Sequence, residues 1–216
     1  ENILWSWHIW ITESLQEVEI ELGEGEHHTI TVLDRNLGAT RATCTNGDQA
    51  LETYGLYYQW GRKDPFLGSS SISSSTVAKS TISWPSSVSS NTSNGTIAYA
   101  TANPTTFIGC NSNNDDWYYT GSSSTDNTRW TTSDKAKSIY DPYTAGWRVP
   151  DGGSNGIWSK AGFDDTTYDS TNEGISFSIS SPSTTWYPAS GFRNCDDGSL
   201  LYVGNYGYCW SASPNS

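Results

Sequence analysis

The residues best equipped for chemistry gather near the C-terminus, in GFRNCDDGSLLYVGNYGYCWSAS (191–213). Gly198, Gly204 and Gly207 break this stretch at short intervals. Between the breaks stand Cys195, Asp196, Asp197, Leu201, Tyr202, Asn205, Tyr206, Tyr208 and Cys209, with no periodicity. Tyrosine brings contact area and a hydroxyl with few rotors to freeze, and Asp and Asn bring adaptable hydrogen bonds. That is the chemistry of recognition rather than of bond cleavage. Other polar clusters are weaker. His27 and His28 adjoin Glu24 and Glu26, but neighbouring side chains on a strand point to opposite faces, so the pair reads as a solvated turn. NSNNDD (111–116) offers oxygens suited to calcium without the spacing of a calcium loop. Asp164, Asp165 and Asp169 read as solvated surface. There is no Gly-x-Ser-x-Gly elbow and no phosphate-cradling glycine loop. Carboxylate pairs for glycoside hydrolysis meet only in space. The expectation is therefore no enzyme, no catalytic residue, no resident cofactor and no metal site, with calcium as a minor alternative.

Composition narrows the classes further. The chain has 216 residues and a formal charge of −12, from 11 basic and 23 acidic residues. A field of that sign repels phosphate backbones and anionic membranes, so no nucleic-acid partner is expected. No apolar run approaches the roughly 20 residues of a membrane-spanning helix, so no membrane insertion is expected. Eleven Trp and 13 Tyr can hold a core despite a hydrophobic fraction of 34%, and global disorder is rejected. Cys44, Cys110, Cys195 and Cys209 allow three full pairings. The Ser/Thr/Asn-rich texture suits an extracellular protein. A chain that begins at Glu1 and lacks Met reads as processed or trimmed.

Several elements must position these residues. ILWSWHIWIT (3–12) reads as a strand covered on both faces, EVEIEL (17–22) as a half-exposed strand, and TITVLDRNL (29–37) as a second buried strand. YGLYYQWGRKDPF (54–66) is an aromatic segment ending in an Asp-Pro turn. The Ser-rich stretch 68–94 reads as a long surface loop or insertion. TTSDKAKSIYDP (131–142) predicts a short helix stopped by Asp-Pro, AGWRVP (145–150) a strand, and GIWSKAG a helical turn. In GISFSIS (174–180), Ile175, Phe177 and Ile179 share one face of a strand. The sum is one α+β domain of short strands, one or two short helices and long irregular loops.

Seven stretches taken together carry a resemblance: LWSWHIWIT, DRNLGAT, YGLYYQWGRKDPF, DDW, DPYTAGWRVP, YPASGFR and YCWSAS. In this order they resemble a family of surface and phage-borne proteins with the C-type lectin fold, typified by the variable proteins of diversity-generating retroelements. The resemblance implies a single C-type lectin-like domain over 1–216 with a candidate variable region at 191–216. In such systems a reverse transcriptase miscopies template adenines. Asparagine-type codons then give most residues but never Lys, Glu, Gln, Met or Trp. From Gly191 to Ser216 the only one of these five is Trp210, which the resemblance assigns to framework. Cys195, Asp196, Asp197, Leu201, Tyr202, Asn205, Tyr206, Tyr208 and Cys209 become the variable positions. Gly198, Gly204 and Gly207 become the turns, with Phe192 and Trp210 packed beneath.

The implied function is a ligand-binding adhesin or receptor-binding protein on a phage virion or bacterial outer surface. Its partner would be a protein or glycan receptor, and oligomeric avidity would suit a phage fibre. A calcium-dependent carbohydrate-binding lectin with a fixed site is the alternative. Two departures stand out: Tyr143 replaces the cysteine of the family's Asp-Pro-Cys-Pro, and the sequence stops at Ser216 where the family continues past WSAS into one more strand, so the expectation is either a trimmed end or a sheet closed differently.

Overall fold

The computed structural model describes residues 3–21, 29–69, 86–123, 126–160, 167–178 and 184–213. It is a mixed α+β architecture of several small sheets and three short helices among these residues. Strand β1 (Glu17–Glu21) pairs antiparallel with β2 (Thr29–Leu33). Its strict alternation turns Val18 and Ile20 inward and three glutamates outward. A single 3-10 turn (Gly47–Gln49) leads into α1 (Ala50–Tyr54). Strand β3 (Ser86–Ser89) lies parallel to β4 (Thr106–Gly109), joined through α2 (Ile97–Ala102). Thr96 caps α2 by accepting the Tyr99 N–H at 3.1 Å. Helix α3 spans Ile157–Lys160. Strands β5 (Tyr168–Asp169), β6 (Gly174–Ser178) and β7 (Thr184–Pro188) form an antiparallel sheet. A hairpin of β8 (Phe192–Arg193) and β9 (Leu200–Leu201) follows.

Two of the motifs behind the resemblance, YGLYYQWGRKDPF and DDW, meet around the buried Arg129. Arg129 is buried, grips Asp116 with two nitrogens, and holds its guanidinium 4.5 Å from the Trp60 ring centroid. Trp117 donates its indole N–H to the Trp60 carbonyl at 2.7 Å. Gly61, at φ +81, leaves the space that the Arg129 side chain fills, since a Cβ there would lie 2.6 Å from the Arg129 Cβ. Arg62, also buried, donates to the Thr106 carbonyl at 2.8 Å and the Asn103 carbonyl at 3.2 Å. Gln59, Arg62 and Asp116 are thus engaged within the protein, as buried polar groups must be, although Arg62 Nε has no partner there and Asp115 is exposed. Asp141 accepts the Val149 N–H at 2.8 Å, which ties DPYT to GWRVP.

Five sequence expectations are corrected. Residues 3–12 form no strand: among the described residues none pairs with them, and Leu4 and Trp7 are 87% and 84% exposed. The segment is instead an arm fixed at intervals, with the Trp10 indole N–H donating to the Ala39 carbonyl and Ser6 held by Lys63 and Asp64. Residues 131–142 form no helix. Thr132 and Ala136 close a turn with Lys135 at φ +60, and Ser138 returns to the Trp130 carbonyl. Short hydroxyl side chains satisfy the backbone locally there and displace helical bonds. AGWRVP is irregular, turning at Gly146 with φ +89. The second strand stops at Leu33 and is only half-buried. In the Ser-rich stretch, 70–85 lies outside the described residues, whereas Ser86–Ser89 is a paired strand rather than loop. His27, His28, Asp164, Asp165, Ile179 and residues 214–216 also lie outside the described residues.

Candidate functional site

The β8–β9 hairpin and the loop after it build the site. Phe192 pairs with Leu201 and Arg193 with Leu200. The hairpin turn is shaped by its own side chains: Asn194 Oδ1 accepts the Asp196 N–H at 3.2 Å, and Asp197 Oδ1 accepts the Ser199 N–H at 2.9 Å. Gly198 closes the turn at φ +76, and a Cβ there would lie 2.8 Å from the Phe107 ring. Past β9 the chain turns left-handed at Tyr202, φ +57, and the N–H groups of Asn205 and Tyr206 both return to the Tyr202 carbonyl. Gly204, at φ +80, donates to the Ala189 carbonyl at 2.8 Å. Gly207 is glycine for a different reason: its φ is not left-handed, but a Cβ would sit 2.6 Å from the Pro188 carbonyl oxygen.

Between these fixed points the side chains divide. Leu200 and Val203 enter the core beside Tyr54 and Trp186. Cys195, Asp196, Asp197, Tyr206, Tyr208 and Cys209 face solvent, while Leu201, Tyr202 and Asn205 are half-buried. Three of the predicted residues meet directly. Tyr202 stacks on Phe192 at 5.7 Å, Tyr208 stands edge-on to Phe192 at 5.0 Å, and Tyr206 stands edge-on to Tyr202 at 5.3 Å. Tyr206 and Tyr208 lie 6.3 Å apart and are 56% and 55% exposed. The result is one aromatic surface with Phe192 as its floor. Cys195, Asp196 and Asp197 are not in this cluster; they occupy the hairpin turn, against the end of β4.

Trp210 does not pack beneath the loop. It is 52% exposed, donates its indole N–H to the Tyr58 carbonyl at 2.7 Å and meets Trp130 edge-on at 6.1 Å. It is a rim residue held from two sides. Cys209 is exposed and shares a cavity wall with Tyr143 and Tyr187. A cavity of about 1110 Å³ extends under this region, with Cys195, Tyr208, Cys209, Trp210, Tyr143 and Trp147 in its lining.

Arg193 was not anticipated. It is half-buried, donates to the Gly198 and Leu67 carbonyls and sits 5.9 Å from the Tyr57 ring centroid. Burial lowers its pKa, and burial raises that of Tyr57 to about 12. Tyr57 in turn donates to the Ser190 carbonyl. Together they clamp the hairpin to the aromatic segment. The available signal was YPASGFR itself, where an arginine follows an aromatic residue at a strand start.

Within 111–116, Asn111 Oδ1 accepts from Asn113, Asn114 Oδ1 accepts the Asp116 N–H and Asp116 holds Arg129, while Asp115 is exposed. Among the described residues no group of three or more His, Cys, Asp or Glu side chains gathers as a metal site, and no helix is long and apolar enough to cross a membrane. Comparison of the chain with protein-family models, curated proteins and solved structures returns no match.

Proposed function

We propose that this chain is a ligand-binding surface protein with a C-type lectin-like fold, presenting a chemically interchangeable face from the β8–β9 hairpin through Cys209. It would serve as an adhesin or receptor-binding protein outside the cell or on a virion, engaging a protein or glycan. The observation that carries this reading is the partition within 191–213. Gly198, Gly204, Leu200 and Val203 are buried and constrained, while Tyr206, Tyr208, Asp196 and Asp197 between them face outward. A face with that division can change its chemistry without altering what holds it up. Exposed tyrosines on a rigid base are efficient anchors because little rotamer freedom is lost on contact.

The test needs no known ligand. In one library, adenine-substituted asparagine codons replace positions 195, 196, 197, 201, 202, 205, 206, 208 and 209 together. In a second, the same codons replace 198, 200, 203 and 204. Most members of the first library should unfold cooperatively like the parent, and most of the second should not. Equal loss of folding in both would sink the proposal. A near-repeat of the DNA encoding 191–213 beside a reverse-transcriptase gene would support it independently. Glycan binding abolished by a chelator would instead favour a fixed calcium-dependent lectin.

A further inference from the structure

The end of β4 and the tip of the β8–β9 hairpin meet at two cysteines. The Cys110 N–H donates to the Cys195 carbonyl at 2.8 Å. One residue away on each side, a Cβ on Gly109 would lie 2.5 Å from the Asp196 carbonyl oxygen, so the two backbones touch. Strands in such contact run about 5 Å apart, inside the roughly 4–7 Å between Cα atoms that a disulfide spans. Both cysteines line the same cavity, and the Cys195 thiol is directed to Asp196 Oδ1 at 3.8 Å, within its own turn. Burial, and then the neighbouring Cys195 thiol, raise the pKa of Cys110. Cys110 is half-buried and Cys195 exposed, so one partner is sheltered and the other can be reached from solvent. The other two thiols are placed differently. Cys44 is buried and directed to the Asn46 carbonyl at 3.1 Å, and Cys209 lines the same cavity but has no backbone contact with Cys110 or Cys195 of the kind that joins those two.

We infer that Cys110 and Cys195 form a disulfide that fastens the hairpin turn to β4 under oxidising conditions. The inference stands on this backbone contact and does not depend on the face being diversified. Formation proceeds by exchange with a low-molecular-weight disulfide, RSSR. The exposed Cys195 thiolate attacks one sulfur, giving a Cys195–SR mixed disulfide and one RS⁻. The Cys110 thiolate then attacks the Cys195 sulfur, forming the intramolecular bond and releasing the second RS⁻. The protein loses two thiol protons and two electrons, and RSSR is reduced to two RSH. The turn carrying Asp196 and Asp197 is then bonded covalently to a buried strand.

The full chain is incubated with oxidised glutathione, alkylated and digested with cleavage at the tyrosines between Cys195 and Cys209, because both cysteines otherwise fall in one tryptic peptide. The expected result is a drop in alkylated thiols from four to two per chain, with a cross-linked peptide joining Cys110 to Cys195. Cys209→Ser should leave that cross-link in place. Cys195→Ser, at an exposed position, should fold normally and leave Cys110 fully alkylated. A Cys195–Cys209 cross-link, or glutathione retained on Cys195 with Cys110 alkylated, would overturn the inference.

Discussion

The guanidinium of Arg129 is held between the Trp60 ring, 4.5 Å from its centroid, and the carboxylate of Asp116. Both charges are withdrawn from water, with side-chain exposures of 1% and 13%. Removing one partner strands the other. Asp116→Ala should destabilise the fold by about 3–5 kcal/mol, read as a shift in urea midpoint at constant m-value. A loss below about 1 kcal/mol would mean that the pair is not central.

Two left-handed glycines separate backbone strain from crowding. Gly146, at φ +89, has nothing within 4 Å of the place an added methyl group would take, whereas Gly198, at φ +76, faces the Phe107 ring at 2.8 Å. Gly146→Ala should cost only the conformational penalty, about 1–2 kcal/mol. Gly198→Ala should cost clearly more, with the difference recovered in part by Phe107→Leu. Equal losses at the two sites would contradict the packing of the hairpin turn on β4.

The outward and inward residues of 191–213 should respond differently to truncation. Tyr206→Ala and Tyr208→Ala should each change stability by less than about 1 kcal/mol, since half of each ring is already in water. Leu200→Ala, at a core position, should cost about 2–5 kcal/mol. Thermal melts of the three variants suffice to check this order.

Asp197 offers a pH signature. The Ser199 backbone N–H, and then its hydroxyl, hold the Asp197 carboxyl below its ordinary value of 3.8. A folded-state pKa below the unfolded one stabilises the turn above the unfolded value. That contribution fades as pH falls through the folded value. Carboxyl-carbon NMR should therefore place the Asp197 midpoint below 3.8, and Ser199→Pro, which removes the N–H, should raise it. A midpoint at or above 3.8 would argue against the turn.

Tyr54 donates to Glu173 at 2.6 Å, in the interior. Burial, followed by this bond, raises the phenol well above its ordinary pKa. Tyr54→Phe keeps the ring but strands a buried carboxylate, which should cost about 1–3 kcal/mol. The loss should shrink when Glu173→Gln is added, because the remaining group is neutral. Chemical denaturation of the single and double variants measures the coupling.

What the sequence made legible was largely what local pattern controls. The alternation of EVEIE specifies β1 because one face must be buried, and the three glutamates oppose any other register. The helical turn at Ile157–Lys160 and the strand from Gly174 were also readable. The arm at 3–12 was not: its alternating apolar residues carry a strand period, but pairing depends on a partner that local pattern cannot supply. Helix α2 was missed because its signal is small, a Thr cap before an Ala-rich turn. Strand β3, made of serine and valine, exists only because β4 lies beside it. At the site, the spacing of glycines was informative about turns. The floor supplied by Phe192 and the clamp of Arg193 on Tyr57 depend on long-range contacts. So does the meeting of Cys110 with Cys195.

The left-handed backbone at Tyr202 restricts which side chains that position can host. The carbonyl of residue 202 receives two N–H groups, so the turn is set by main-chain bonds and imposed on the side chain that stands there. Asparagine, aspartate and glycine tolerate that geometry, whereas valine, isoleucine and threonine resist it. Any population of variants at this site would thus be filtered by main-chain torsion before selection for an external target begins, leaving an alphabet narrower than the genetic code alone would permit.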